Sequence, residues 1–526
     1  MSVCRVFMVV RIASITLYQV HHMNQLKPAR LLWMLLLCLL LAGARCSDLE
    51  VSVTTDVKSE EKISATSGNF NGNLNNGDRF GSAVTRVGDL EVDSVTDLAV
   101  GAPFFDGNGT DRGAIWLLFM DSDGRVDIDR EISDSEGLFL GNLANEDRFG
   151  SALAGIGDLD GDGFLDIAVG APGDDDGSND AGAVWILFMN AIGTVRIHQK
   201  ISSRAGGFLR ELDDGDEFGS AVADIGDLDG DGIRDLAVGA MKDDDGSNDA
   251  GAVWILFMNQ EGRVASSQKI SDTRGGFQGD LDEGDNFGSS ITSLGDLDED
   301  GLNEIAVGAT GDDDGGEDKG AVWILFMNED GTVDSDRKIS QNKGNFDGKL
   351  DDGDRFGSAL ASMGDLDEDG FTDLAVGADR DDDGGDDRGA VWILFLEDNG
   401  DVRSQSKISS TESNFDGNLR NGDEFGSAIA DIGDLDGDGI RDLAVGARND
   451  DDGGVDRGAV WILFMDRTET ETETENEIIA GSPLIKFLLN ASSLGDGLTG
   501  STDSSVGSAD SVIRQDQDQS PLPILP

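Results

Sequence analysis

Seven-residue runs of unbroken apolar character recur through the middle of the chain. AVWILFM stands at 183–189, 252–258, 321–327 and 459–465, with the variants AIWLLFM at 114–120 and AVWILFL at 390–396. A strand with one face in water alternates apolar and polar residues, so a continuous run predicts a strand covered on both faces. Three weaker strand signals accompany each run. In the third copy they are Ser220–Ile225, Asp235–Gly239 and Val264–Ile270, around Ala252–Met258. The whole unit returns every 69 residues, and a Phe-Gly pair opens it at Phe80, Phe149, Phe218, Phe287, Phe356 and Phe425. A fixed period of this length predicts one repeat array instead of several unrelated domains. Short, evenly spaced strands separated by glycine turns predict an all-β protein, a β-propeller of four-stranded blades.

The register assigns roles. The six phenylalanines read as core, and the glycine after each reads as a close backbone approach or a bulge. Trp116, Trp185, Trp254, Trp323, Trp392 and Trp461 also fall in register and read as core between blades, with ligand stacking as the alternative. Gly-Ala-Pro occurs at 101–103 and 170–172, but the later copies end in Met241, Thr310, Asp379 and Arg448. That variation predicts an exposed third place. Residues 49–63 align with VRIHQKI at 195–201, the close of a repeat, while the array ends at Trp461–Met465 without a fourth strand. The spare first strand therefore completes the last blade and removes an open sheet edge. The propeller is expected over 47–466. The Glu-Thr run at 467–477 and the Ser/Gly/Asp-rich remainder to Pro526 read as a mostly disordered tail, with a weakly apolar patch at 484–489.

Composition changes the picture in three ways. With 105 acidic against 39 basic residues the net charge is −66, which excludes nucleic acid as the default partner and disfavours anionic membranes. Cations or a basic protein face are favoured. Cys4, Cys38 and Cys46 all precede the array, so neither disulfides nor Cys-based metal sites hold it. Lys27 and Arg30, the apolar Leu31–Leu41 and the small residues Ala42–Ala44 form a secretory signal within 1–46, with Met23 a second candidate start. Secretion follows, with a signal-anchored chain as the alternative. The apolar segment is shorter than the roughly 20 residues of a membrane helix, and no span is expected in the mature chain. Sequons at Asn108 and Asn490 suit a glycoprotein.

The chemistry lies between the first two strands of each unit. The second copy reads DLDGDGFLD, with Asp158, Asp160, Asp162 and Asp166 at the first, third, fifth and ninth positions and Gly163 at the sixth. Like charges 4 Å apart repel by about 1 kcal/mol in water and about 4 kcal/mol at an effective dielectric of 20. A tight turn that gathers them needs a cation. Ca²⁺, with 6–8 oxygens at about 2.3–2.6 Å in flexible geometry, suits such a loop better than Mg²⁺. Further copies are Asp227, Asp229, Asp231, Asp235; Asp296, Asp298, Asp300, Glu304; Asp365, Asp367, Asp369, Asp373; and Asp434, Asp436, Asp438, Asp442. The first unit keeps Asp89, Glu91, Asp93 and Asp97 but has Ser94 for the glycine, a weaker site. About five Ca²⁺ sites are expected, six if the first unit binds. An EF-hand would need a Glu at the twelfth position, where the five strict copies carry Val.

Phe-Gly, an acidic loop of the DxDxDGxxD kind and Gly-Ala, the last extended to Gly-Ala-Pro in the first two units, follow in that order and resemble the FG-GAP repeats of the integrin α-subunit N-terminal β-propeller. The resemblance covers 49–465. It implies Ca²⁺ in the loop joining strands one and two on a lower face. It also implies ligand binding on an upper face, through the loops joining strands two and three and those leading into the next blade. The family's propeller has seven repeats where six are counted here, which leaves seven as the alternative blade number. The leg, membrane and cytoplasmic parts of an integrin α-subunit do not follow the repeats. The upper-face loops DDDGSND at 174–180 and 243–249, DDDGGED at 312–318, DDDGGDD at 381–387 and DDDGGVD at 450–456 read as solvated turns or as a recognition ring.

The leading function is a secreted, Ca²⁺-binding module for a protein or glycan in cell adhesion or extracellular matrix. One alternative is an extracellular carbohydrate-active hydrolase or lyase, and another is a structural acidic wall or matrix protein. The enzyme reading is disfavoured. His198 is the sole histidine after the signal, no catalytic or cofactor-binding residue is assigned, and near-identical blades offer no single asymmetric constellation. Carboxylate pairs keep glycoside hydrolysis open.

Overall fold

The computed structural model describes residues 50–472; the signal segment, Asn490 and the tail beyond Thr472 lie outside the described residues. Among the described residues there are 24 strands and no helix, sorted into six four-stranded sheets. Blade 3 shows the plan: Phe218–Gly226, Asp235–Ala240, Ala252–Met258 and Val264–Ile270 pair in sequence order, each with the next, antiparallel. The last two bounds are those expected from the sequence; the first strand is longer by its Phe-Gly opening and by Gly226, and the second by Ala240. The innermost strand of each blade contacts those of both neighbours, and the strand at Ala83–Gly88 meets the one at Phe425–Gly433. The ring is therefore closed at six blades; a seventh is not present among the described residues.

Closure follows the expectation for the spare first strand. Blade 6 orders Glu50–Ser64, Ala459–Thr472, Asp442–Ala447 and Phe425–Gly433, so the chain's opening strand is the outermost strand of its last blade. The third strand of this blade continues past Asp466 into the Glu-Thr run as far as Thr472.

All seven residues of Ala252–Met258 are buried, as are their counterparts in blades 1 to 5, because blades stack face to face. Six apolar clusters result, one at each interface. Between blades 2 and 3, Ile186 and Phe188 of one sheet pack against Leu236, Val238 and Trp254 of the next. Phe208 stacks on Phe218 at 5.0 Å and meets Trp254 edge-on at 5.1 Å. The tryptophans are thus core, 4–6% exposed, and the stacking alternative is set aside.

The two glycines of the repeat explain each other. Gly219 has φ +94°, and a Cβ there would lie 2.4 Å from the Ala183 carbonyl oxygen of the preceding blade. A Cβ on Gly239 would lie 2.0 Å from the carbonyl oxygen of Gly288, the Phe-Gly glycine of the following blade. Backbones touch there, and only glycine on both sides allows it.

Candidate metal centres

The acidic loops cross from the first to the second strand of each blade. In blade 2, Asp158 folds the turn on itself: its two oxygens accept the N–H groups of Asp162 at 2.9 Å and Gly163 at 2.8 Å. Asp162 accepts the N–H of Phe164 at 3.0 Å. Asp166 is fully buried and accepts N–H groups from Leu159 and from Met189 in the third strand, both at 3.0 Å. The sixth-position glycine has φ +95° in this loop, as does its counterpart within about ten degrees in the next four blades. In blade 1 Ser94 holds φ +77° and Val92 +65°, conformations that strain any residue with a Cβ.

Carboxylate oxygens converge within 4.8 Å in five loops, and the trios are of two kinds. Blades 2, 5 and 6 gather the first, third and ninth positions: Asp158, Asp160, Asp166; Asp365, Asp367, Asp373; Asp434, Asp436, Asp442. Blades 3 and 4 gather the first, third and fifth: Asp227, Asp229, Asp231; Asp296, Asp298, Asp300. Asp162, Asp369 and Asp438, and the ninth-position Asp235 and Glu304, stand in the same loops outside the trios. Asp89, Glu91, Asp93 and Asp97 of blade 1 form no such trio. Burial pushes Asp166, Glu304 and Asp373 up to about 7 and Asp235 and Asp442 up to about 6, against the pull of their backbone hydrogen bonds. Oxygen-only clusters of this size, gathered on one turn, are the donor set that a hard divalent cation takes.

Three of these loops carry a basic residue that sequence reasoning missed. Arg196 reaches Asp160 and lies 2.9 Å from Asp162. Arg403 reaches Asp367 and lies 2.8 Å from Asp369. Lys58 lies 2.6 Å from Asp436 and 2.7 Å from Asp438. Each comes from the outermost strand of its blade.

At the other end of the blades the DDDG loops are tied inward. Lys269, at the end of the fourth strand, bridges Asp243 at 2.5 Å and Asp245 at 2.8 Å and sits 5.5 Å from the Trp254 ring centre. Lys62, Lys200, Lys338 and Lys407 repeat this in blades 6, 2, 4 and 5. The middle aspartate, Asp244 in blade 3, accepts the N–H of Asp249 at 2.9 Å and closes the loop. Blade 1 alone replaces the set: Phe105 and Gly107 stand for the outer two aspartates and Glu131 for the lysine. All three aspartates of the five DDDG loops therefore have structural partners, and the signal was the in-register lysine before the final Ile of the outer strand in those five blades.

The third place after Gly-Ala is not exposed, contrary to the reading from its variability. Pro103, Pro172 and Asp379 are buried and Met241, Thr310 and Arg448 half-buried. The last four line the mouth of the axial channel, a cavity of about 280 Å³. The site varies because it faces the axis, where neighbouring blades need not match. There Arg448 pairs with Asp379 at 2.7 Å and with Glu424 at 2.6 Å. Asn108 is exposed on the upper face of blade 1. His198 packs edge-on against Phe139 and Trp185 at 5.2 and 5.3 Å, and burial holds its pKa below the ordinary value.

A closed ring of six four-stranded blades, each with an acidic first loop and a pair of interlocking glycines, defines an FG-GAP β-propeller. The FG-GAP repeat family matches residues 80–118, 149–187, 218–256, 287–325, 356–394 and 425–463, so the chain carries six such repeats. It is an integrin-α-like FG-GAP repeat protein. Over 169 residues it is 37% identical to integrin alpha-2 of Mus musculus, covering 31% of this chain and 13% of that protein. Over 231 residues it is 33% identical to integrin alpha-PS2 of Drosophila melanogaster, covering 43% and 15%. Phosphatidylinositol-glycan-specific phospholipase D of Bos taurus is 32% identical over 181 residues, covering 34% and 20%. The matches thus span a fifth or less of each of these relatives.

Proposed function

We infer that this chain is a calcium-binding, integrin-α-like propeller that works outside the cell as a ligand-binding module in adhesion or matrix. The observation that carries the reading is the carboxylate trio, repeated in five loops on one end of the ring. Asp158, Asp160, Asp162 and Asp166 and their counterparts would hold Ca²⁺ and neutralise turns that otherwise repel themselves.

The partner, a protein or glycan, is assigned to the opposite face. Because the DDDG aspartates are engaged by lysines and backbone, recognition falls to the loops between blades. Leu140 and Leu209 stand at equivalent places in two successive such loops and are 86% and 92% exposed. The same place holds Asn71, Gln278, Asp347 or Asp416 elsewhere, so this sector of the ring is apolar where the rest is polar.

The test is binding of the full chain to arrayed matrix proteins and glycans, with and without Ca²⁺. We expect binding that a chelator abolishes and that Leu140→Ser with Leu209→Ser weakens about tenfold. Hydrolysis of arrayed polysaccharides by the same protein would favour the enzyme alternative instead.

A further inference from the structure

The fourth strand of blades 1 to 5 contains a bulge beside the acidic loop. In blade 2 Phe188 pairs with Ile197 and Met189 with Val195, which leaves Arg196 unpaired in the ladder. The same shift isolates Asp127 in blade 1, Ala265 in blade 3, Asp334 in blade 4 and Arg403 in blade 5. Lys58 is the corresponding residue of the closing strand in blade 6, one 69-residue period before Asp127. A bulge re-aims one side chain out of the ladder. Here the aim is known from three of the six, since Arg196, Arg403 and Lys58 all contact the third and fifth carboxylates of their own loop.

The identity of this bulge residue sorts the loops. Where it is a cation, in blades 2, 5 and 6, it holds both the third and the fifth carboxylates, and the converged trio is the first, third and ninth. Where it is Ala265 or Asp334, the first, third and fifth carboxylates converge. Blade 4 has a second distinguishing feature. In the other blades the ninth-position Asp satisfies both oxygens on backbone N–H groups, as Asp235 does with Leu228 and Met258 at 3.0 Å. Glu304, one methylene longer, accepts only the N–H of Leu297, at 2.7 Å; its other oxygen is buried without a partner, in a residue with no exposed surface. A buried, unpartnered carboxylate oxygen inside a loop of three converged aspartates lacks a cation.

We propose that the loops bind divalent cations with graded affinity set by the bulge residue. Blade 4 is the tightest site, with Asp334 as a fifth carboxylate beside Asp296, Asp298, Asp300 and Glu304. Arg196, Arg403 and Lys58 are tethered counter-ions that occupy their loops in the absence of metal and compete with it. The blade 4 loop, crowded with like charge, depends on metal for its order. Blades 2, 5 and 6 are neutralised from within, so part of the ring holds its shape when Ca²⁺ falls. Binding strength in oxygen-only sites follows the number of charged ligands.

This inference rests on the calcium reading, and its test separates the two. Ca²⁺ is titrated into the metal-free full chain by equilibrium dialysis, for wild type, Asp334→Asn, and the double variant Arg196→Met with Arg403→Met. We expect one step tighter than the rest in wild type. Asp334→Asn should weaken that step about tenfold and leave the others, whereas the double variant should tighten two of the weaker steps by about the same factor. Metal-free Asp334→Asn should melt no lower than wild type, because it loses only repulsion. Equivalent sites that ignore both changes, or a metal-free Asp334→Asn that melts lower, would overturn the grading and leave calcium binding intact. Absence of any Ca²⁺ binding would overturn both.

Discussion

At the scale of single residues, the most informative contacts join charges that are far apart in the chain. Lys269 holds Asp243 and Asp245 over the Trp254 face, with the lysine and Asp243 12% and 4% exposed. Reversing one partner of a buried pair strands the other, so Lys269→Glu should lower unfolding free energy by about 3–5 kcal/mol in chemical denaturation. Blade 1 shows how the same place is built without the pair. Installing its residues together in blade 3, as Asp243→Phe, Asp245→Gly and Lys269→Glu, should recover more than half of that loss; a triple variant no better than the single one would refute the compensation. The lysine was visible in the sequence as a register feature, but its partners were not, because they lie two strands away across the sheet. The channel-facing third place misled for a related reason. Variability at Met241, Thr310, Asp379 and Arg448 signals freedom from a repeated neighbour, and an axis provides that freedom as well as solvent does.

At the scale of elements, most of the blade could be read directly. Unbroken apolar runs marked strands covered on both faces, and Phe-Gly marked where one blade's backbone rests on the next. The turn with four carboxylates was legible because its spacing is local. Its sorting into two kinds was not, since the basic residue that accompanies one kind stands on the outermost strand, well beyond the loop in blades 2 and 5 and near the start of the chain, at Lys58, in blade 6. The closing strand was legible from phase: residues 49–63 align with the end of a repeat instead of its beginning. Removing 50–64 should expose the edge of Ala459–Thr472 in a ring otherwise complete. The shortened protein is expected to elute as oligomers in size-exclusion chromatography, and addition of the missing segment as a peptide should return it to the size of the intact chain. Elution at the monomer position without the peptide would argue against closure as the role of that strand.

At the scale of the whole molecule, one charge problem governs stability. The chain carries a net −66, and its carboxylates sit in register around both ends of the ring. Besides the first-loop acids, a second set lies at the opposite end, where burial pushes Asp216, Asp354 and Asp423 up to about 7. A carboxyl whose pKa is higher folded than unfolded stabilises most below its unfolded value near 3.9, and that contribution fades as pH rises through about 7. Metal-free protein should therefore melt higher at pH 5 than at pH 8. Calcium is expected to flatten or reverse that trend, because it stabilises the ionised form of the acids it meets. Each site filled at a hundredfold excess of free Ca²⁺ over its Kd adds about 2.7 kcal/mol to the folded state. The most direct measurement is thus the melting temperature of the full chain near pH 7.5, in millimolar Ca²⁺ and after chelation. A melt raised by calcium and lowered by chelator, with Mg²⁺ a poor substitute, is the expected result; a melting temperature that ignores calcium and chelator alike would contradict it.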